Sequence, residues 1–339
     1  MFFYFRSMQI HPSPYTPSTL FSIRHAHDFE ELALLAFRHQ YHHNQVYHIF
    51  CNYMGVHEEE VQTVADIPFL PIELFKTHRI ITGEGQEEKI FRSSGTTGSV
   101  QSCHYLLDEE IYRLSLTEGF TRVFGKAEQY SFLALLPGYV ERPDSSLIYM
   151  VNELMKQSRQ QNNSFFKEAD QELIKMIRYN QQHDVRTILF GVSFSLLQFA
   201  EKNPISLEKI ILIETGGMKG KMEEKTRNEL HTILREKFHI DRVYSEYGMT
   251  ELLSQAYCSH GEEFELPPWM QILIREVNDP KTFMEEQRTG GINVIDLANI
   301  YSCCFISTQD LGKKTSPNTF EVLGRFDNAD IRGCNLLFA

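Results

Sequence analysis

The residues with the most chemistry on offer form one run after a strand-like segment: Arg92-Ser93-Ser94-Gly95-Thr96-Thr97-Gly98-Ser99. Gly95 and Gly98 let the backbone turn tightly and bring N–H groups toward an anion. The hydroxyls of Ser93, Ser94, Thr96 and Thr97 add donors, so the loop could wrap a polyphosphate. The Walker spacing is absent, and an ordinary solvated turn is the alternative on these residues alone. A second group is Tyr247-Gly248-Met249-Thr250-Glu251. Its aromatic ring, glycine, hydroxyl and carboxylate could stack a base, admit a close approach and hold a divalent cation; the alternative is a surface turn.

A third group pairs Asp310, able to accept from ribose hydroxyls, with Arg325, able to reach phosphate. Near the C-terminus stands Cys334, flanked by Arg332 and Gly333. A neighbouring cation lowers a thiol pKa and favours the nucleophilic thiolate, whereas most free cysteines simply fill core gaps. Cys303 and Cys304 read as packing residues on opposite faces of a strand. Gly191-Val192-Ser193-Phe194-Ser195 nearly matches a nucleophile elbow but lacks the closing glycine, so it reads as a polar helix start. His39 and His43 have chelating helical spacing without further ligands in view, and read as solvated or interface residues.

The elements that must position these groups follow from hydrophobic patterning. The first part reads as helical: Asp28 and Glu31 suggest a capping box, Phe29, Leu32, Leu35 and Ala36 share a face, and Gly55 suits a stop. A Pro-punctuated segment, IPFLPIELFK, follows. From Glu88 onward the apolar runs KIFR, SFLALLPG, RTILFGV and KIILIETGG read as strands that alternate with helical stretches such as 108–124 and 221–238. This pattern predicts an α/β fold with a doubly wound, largely parallel sheet and ligands at its strand ends. Beyond Trp269, QILIREV, GINVIDLA, CCFIST and FEVLGR predict a smaller β region.

Composition narrows the function classes. The 339 residues are 42% hydrophobic and 23% charged, enough for a sizeable core. With 33 Lys and Arg against 45 Asp and Glu, the formal charge is −12, which argues against nucleic acid or anionic lipid as a partner. No apolar run reaches the roughly 18 residues of a bilayer span. The opening MFFYFRSMQI lacks the features of a signal peptide. The six cysteines show no zinc spacing, and a reducing cytoplasm is the expected location.

Taken in order, the Ser/Thr/Gly loop, the Y-G-x-T-E stretch, Asp310 and the G-R-x-D element at Arg325 resemble the adenylate-forming enzymes over more than 230 residues. IPFLPIELFK, FRSSGTTGS, LALLPGYVERPDSSLIYM, ETGGMKG and ADIRGCNLL further resemble the acyl-protein synthetase (LuxE) family. The resemblance implies the large-domain fold of the adenylate-forming enzymes over residues 1–325, with 1–85 a mostly helical lead-in and 326–339 a tail carrying Cys334. It implies ATP-dependent activation of a fatty acid to an acyl adenylate, then transfer to a cysteine for a partner acyl reductase.

By motif, Ser93, Ser94, Gly95, Thr96, Thr97 and Gly98 map to the phosphate loop, and Gly216 and Gly217 to backbone lining the nucleotide. Tyr247 maps to the adenine stacker, with Gly248 and Thr250 beside it. Glu251 maps to the magnesium ligand, Asp310 to the ribose contact, Arg325 to the hinge arginine and Cys334 to the acyl acceptor. Two departures stand out. Thr308-Gln309 replaces the usual threonine-glycine before the ribose aspartate, and the 14 residues after Arg325 leave no room for the small domain that carries a catalytic lysine. Lys219, Lys221, Lys313 and Lys314 are candidates to supply its charge. An aryl- or acyl-CoA ligase of the phenylacetate type, or a non-catalytic acyl- or nucleotide-binding subunit, are the alternative readings.

Overall fold

The computed structural model describes residues 12–94, 100–138, 141–216 and 225–325. The chain opens with helices α1 (Pro17–Phe21), α2 (Ala26–His43) and α3 (Gln45–Tyr53), then a short strand β1 (Leu70–Pro71). The expected long first helix is two helices. Asn44 ends α2 and caps α3 by accepting from the Tyr47 N–H at 3.0 Å, and its amide reaches 2.8 Å to the Ser302 carbonyl. A side chain that serves both a helix start and a distant carbonyl breaks a helix that periodicity alone would continue. The expected cap also moves: α2 begins at Ala26, and Asp28 accepts from the Arg24 and His25 N–H groups. Phe29, Leu32 and Ala36 are buried as expected, but Leu35 is 39% exposed, and Ala33, Phe37 and Gln40 complete the buried face. Gly55, at φ +67°, closes α3 as expected.

Strands β2 (Lys89–Arg92) and β3 (Cys103–Leu106) form a two-stranded antiparallel ribbon apart from the main sheet. The first of the expected alternating strands, KIFR, therefore belongs to a hairpin that flanks the Ser/Thr/Gly loop. The alternation proper begins after α4 (Glu109–Phe124), whose Asp108 cap accepts from two backbone N–H groups. It comprises β4 (Ser131–Leu135), α5 (Ser146–Gln157), β5 (Ser164–Phe166), α6 (Gln171–Gln182), β6 (Thr187–Val192), α7 (Ser193–Lys202), β7 (Ile210–Thr215), α8 (Arg227–Phe238) and β8 (Tyr244–Tyr247). Strands β4 and β6 are buried at every position, as a sheet covered by helices on both faces requires.

The remainder is antiparallel: β9 (Ala256–His260), β10 (Glu263–Glu265), β11 (Met270–Arg275), β12 (Thr289–Asp296), β13 (Phe305–Ser316) and β14 (Thr319–Arg325). One hydrogen-bonded path runs β11-β12-β13-β14-β10-β9-β8-β7-β6-β4-β5, with β1 parallel to β13. Strands β5, β4, β6, β7 and β8 pair in parallel, whereas β8 to β9 and everything beyond pair antiparallel. The smaller β region is thus continuous with the parallel half. The lead-in helices dock on the turn after β12: Tyr15 donates to the Leu297 carbonyl at 2.7 Å, and the Gln40 amide accepts from the Cys304 N–H at 2.9 Å. No described helix is long and apolar enough to cross a membrane.

Candidate active site

Two chain segments far apart in sequence meet at the base of the Ser/Thr/Gly loop. Ser93 donates its N–H to the Ser102 carbonyl at 3.1 Å, and Ser93 Oγ accepts from the Ser102 N–H at 2.9 Å, so these residues clamp the loop's two ends. Arg142 adds a brace, donating to the carbonyls of Arg92 and Ser93 at 3.1 and 3.0 Å. Across from this base lies the 247–251 segment. The Ser102 hydroxyl lies near the Glu251 carboxylate and pulls its pKa down, and His104 Nδ1 donates to the Thr250 carbonyl at 2.8 Å. Burial pushes the His104 pKa down to about 4, so the ring is neutral and keeps the proton that bond needs. Neither Ser102 nor His104 belongs to a recognisable motif; their position at the start of β3, Ser102 just ahead of it and His104 within it, is what brings them to the far segment.

Glu251 is buried, and burial raises its carboxyl pKa against the opposing pull of Ser102, Arg325 and Lys76. Its carbonyl accepts from the Asn299 amide at 2.7 Å. Lys76 ends the Pro-punctuated segment, whose strand β1 pairs Leu70 and Pro71 with Ile306 and Ser307. That segment therefore packs beside the site.

Tyr247 and Asp310 are joined directly: the tyrosine hydroxyl donates to Asp310 Oδ2 at 2.8 Å. The ring is buried, with Phe264 and Phe320 at centroid distances of 5.7 and 5.2 Å. Arg325 Nε lies 3.4 Å from Asp310 Oδ1. Burial raises the Asp310 pKa, while Arg325, Tyr247 and Arg275 pull it back. Gln309 occupies the position where the family pattern has glycine. It donates to Glu73 Oε1 at 2.6 Å and accepts from Arg325 at 3.1 Å, so it ties the Pro-punctuated segment to the arginine.

Arg275 is a feature that sequence reasoning missed. It is buried and donates to the Ile292 and Thr308 carbonyls at 3.0 and 2.7 Å. Its guanidinium lies flat over Gly291, where a Cβ would come within 2.5 Å of its central carbon. The signal in the sequence is the Gly290-Gly291 pair inside a strand, which marks a close approach.

Gly216 takes φ +68°, and Ser193 Oγ lies within hydrogen-bonding reach of both its carbonyl and, at 2.7 Å, the Glu214 carboxylate. Ser193 starts α7, as the sequence suggests. Lys313 pairs with Glu321 at 3.1 Å, and half-burial lowers the Lys314 pKa. The rings of His39 and His43 lie 4.8 Å apart, and among the described residues no group of three or more metal-binding side chains forms. Cys303 and Cys304 are fully buried just ahead of β13. Gly95, Thr96, Thr97, Gly98, Gly217, Lys219, Lys221, Arg332, Gly333 and Cys334 lie outside the described residues, as does the opening decapeptide.

Behind the 247–251 segment, Glu246 is buried and its pKa is raised to about 7, burial outweighing its hydrogen bond from Thr215. Below pH 4.5 the group is protonated whether the chain is folded or not. Between there and about 7 the unfolded chain releases the proton and the folded chain retains it, so stability falls as pH rises through that window. The full effect is roughly 3 kcal/mol. Urea unfolding from pH 5 to 8 should therefore show a decline that Glu246→Gln flattens. Equal slopes in the two proteins would remove Glu246 as its source.

The fold defines the class: an α/β protein with one mixed sheet flanked by helices. Among solved structures, ATP-bound MatB from Rhodopseudomonas palustris superposes with a TM-score of 0.54 at 15% identity over 72% of this chain. The chain spans about half of MatB's length, 49%. An open-state 2-hydroxyisobutyryl-CoA ligase bound to its acyl adenylate and CoA superposes with a TM-score of 0.65 at 11% identity, covering 95% of this chain and 80% of the ligase. At such identities the likeness is one of fold. The sequence is also similar to the long-chain-fatty-acid–luciferin-component ligase of Vibrio harveyi, 24% identical over 89% of this chain and 84% of the relative. The model of the acyl-protein synthetase, LuxE, family matches residues 22–339, and the chain belongs to that family.

Proposed function

We propose that this chain activates a fatty acid with ATP and passes the acyl group to a protein thiol. The observation that carries the reading is that the loop base meets the 247–251 segment through Ser102 and His104, while Tyr247 of that segment joins Asp310 and Arg325. In the first step a carboxylate oxygen attacks the α-phosphorus of ATP, the bond from that phosphorus to the bridging oxygen breaks, and pyrophosphate leaves. In the second, a thiolate attacks the acyl carbonyl, a thioester forms and AMP leaves.

Asp310 accepts from the ribose hydroxyls, and Arg325 opposes the upward push that burial gives its carboxyl pKa. Tyr247 orients that carboxylate through its hydroxyl and offers its ring to the purine. Backbone N–H groups of the Gly95–Gly98 loop receive the phosphates, and Gly216 and Gly217 line the nucleotide. Magnesium commonly binds through one or two carboxylates together with substrate phosphates, a donor set that Glu251 at the loop base fits. Such an ion would neutralise charge on the departing pyrophosphate.

The acceptor is Cys334, and an acyl reductase is the partner that takes the acyl group onward. Burial pushes the thiols of Cys51 and Cys258 up to about 12 and about 11, and raises those of Cys303 and Cys304 as well. These four are held as unreactive thiols. With labelled fatty acid and ATP, Cys334→Ser should keep pyrophosphate release while hydroxylamine-labile protein labelling falls by about tenfold or more. Labelling at the wild-type level would dismiss Cys334. Rapid acyl-CoA formation on adding CoA would redirect the second step to a soluble thiol.

A further inference from the structure

A polar patch with unmet hydrogen-bonding capacity lies directly behind the 247–251 segment. In the sheet, Glu246 is paired with Thr215 of β7 on one side and Tyr257 of β9 on the other, so the three side chains share a face. Gln255, just ahead of β9, comes beside Gly248 next to the Glu246 carboxyl. Tyr112 of α4 covers it, its hydroxyl close to the Gln255 side chain.

Gly248 is what lets the patch approach the reacting segment. A Cβ there would stand 2.4 Å from Glu246 Oε1 and 3.5 Å from Gln255 Cγ. The Glu246 carboxylate thus lies along backbone two residues from Thr250 and three from Glu251.

Its polar atoms are poorly served by the protein. Gln255 and Tyr257 are 4% and 1% exposed, and neither Gln255 Oε1 nor the Tyr257 hydroxyl has a hydrogen-bond partner among the described residues. Glu246 takes a hydrogen bond from the Thr215 hydroxyl. A buried polar atom left unpaired costs about 1–3 kcal/mol, and here two stand beside a buried carboxyl. A bare alkyl chain laid against this face would leave both of these atoms unsatisfied. Two of the groups, the Glu246 carboxylate and the Gln255 carbonyl oxygen, are acceptors, and the Tyr257 oxygen can accept as well.

We infer that the acid this enzyme activates carries a hydrogen-bond donor, a hydroxyl or an amino group, close to its carboxyl, and that Glu246, Gln255 and Tyr257 receive it. This rests on the adenylation reading above and narrows its substrate class. The shared chemistry is an N–H or O–H donor. A hydroxyl needs only the acceptors, while an ammonium also needs the Glu246 charge, so the two sources separate experimentally.

The test is pyrophosphate release by the full chain with chain-length-matched series: unsubstituted, 2- and 3-hydroxy, and 2- and 3-amino acids. At least one substituted acid should exceed its unsubstituted counterpart in kcat/KM by about tenfold or more, since a site built around polar groups rejects the analogue that lacks the partner. Tyr257→Phe and Gln255→Leu should each pull that ratio toward one, and the near-isosteric phenylalanine keeps the test open if the leucine variant fails to fold. Glu246→Gln should abolish a preference for amino acids while sparing much of one for hydroxy acids. Equal or better turnover of unsubstituted acids overturns the inference and leaves the adenylation reading standing, as does a preference that survives both variants. Absence of pyrophosphate release with every acid overturns both.

Discussion

Asp296→Ala is expected to cost on the order of 3–5 kcal/mol of stability, the largest loss from a single site outside the apolar core. Asp296 is fully buried at the end of β12. It accepts from the N–H groups of Leu253, Ser254 and Ala298 at 2.8, 3.0 and 3.1 Å and from the Ser254 hydroxyl at 2.5 Å. Ser254 Oγ in turn accepts from Trp269 Nε1 at 3.0 Å. Alanine would strand three backbone donors and a hydroxyl where water cannot reach. Burial raises the carboxyl pKa, and these donors oppose it.

The functional consequence follows from position. Asp296 pins the end of the chain that runs from β8 through Thr250 and Glu251 into β9, and Asn299, three residues on, holds the Glu251 carbonyl. Urea unfolding gives the stability directly. Asp296→Asn, which keeps one acceptor oxygen, should lose less. A loss below about 1 kcal/mol in the alanine variant would mean that water or a shifted loop satisfies those donors, contrary to this account.

The second large effect is catalytic. Asp310→Ala should lower kcat/KM for ATP by about 100-fold or more, because a hydrogen bond to a charged group is worth roughly 1.5–3 kcal/mol and ribose offers two hydroxyls. The substitution also releases the Tyr247 hydroxyl and leaves Arg325 without its carboxylate. Asp310→Asn should fall between, since it keeps an acceptor for the ribose but loses the ion pair. Tyr247→Phe separates the roles: if the hydroxyl acts by orienting Asp310, its effect should largely vanish in the Asp310→Ala background. Pyrophosphate release at varied ATP is the measurement. A change under about threefold for Asp310→Ala would take Asp310 out of the nucleotide site.

Part of this site is legible in the amino-acid sequence. Asp310, Tyr247, Gly248 and Glu251 are readable because each belongs to a short run whose residue types already imply a polar or phosphate contact. The residues that brace them are not. Ser102 and His104 look like an unremarkable hydroxyl and histidine at the start of β3, and only their contact with residues 250 and 251 gives them meaning. Gln309 reads as a departure from the glycine of the family pattern, yet its amide links Glu73 to Arg325. Arg275 reads as one more charge at the end of an apolar run, and the fold buries it over Gly291.

What the chain of residues settles unaided is local. The apolar runs of β4, β6 and β7, the Asp108 cap and the Gly55 stop each follow from side-chain size, polarity or backbone freedom within a few residues. Which segments touch is settled in three dimensions: KIFR joins a hairpin rather than the main sheet, Asn44 divides a helix to reach Ser302, and Glu246 faces Thr215 and Tyr257. Pairing across tens or hundreds of residues is selected by the burial and hydrogen bonding of the whole chain at once, and no window of sequence contains both partners.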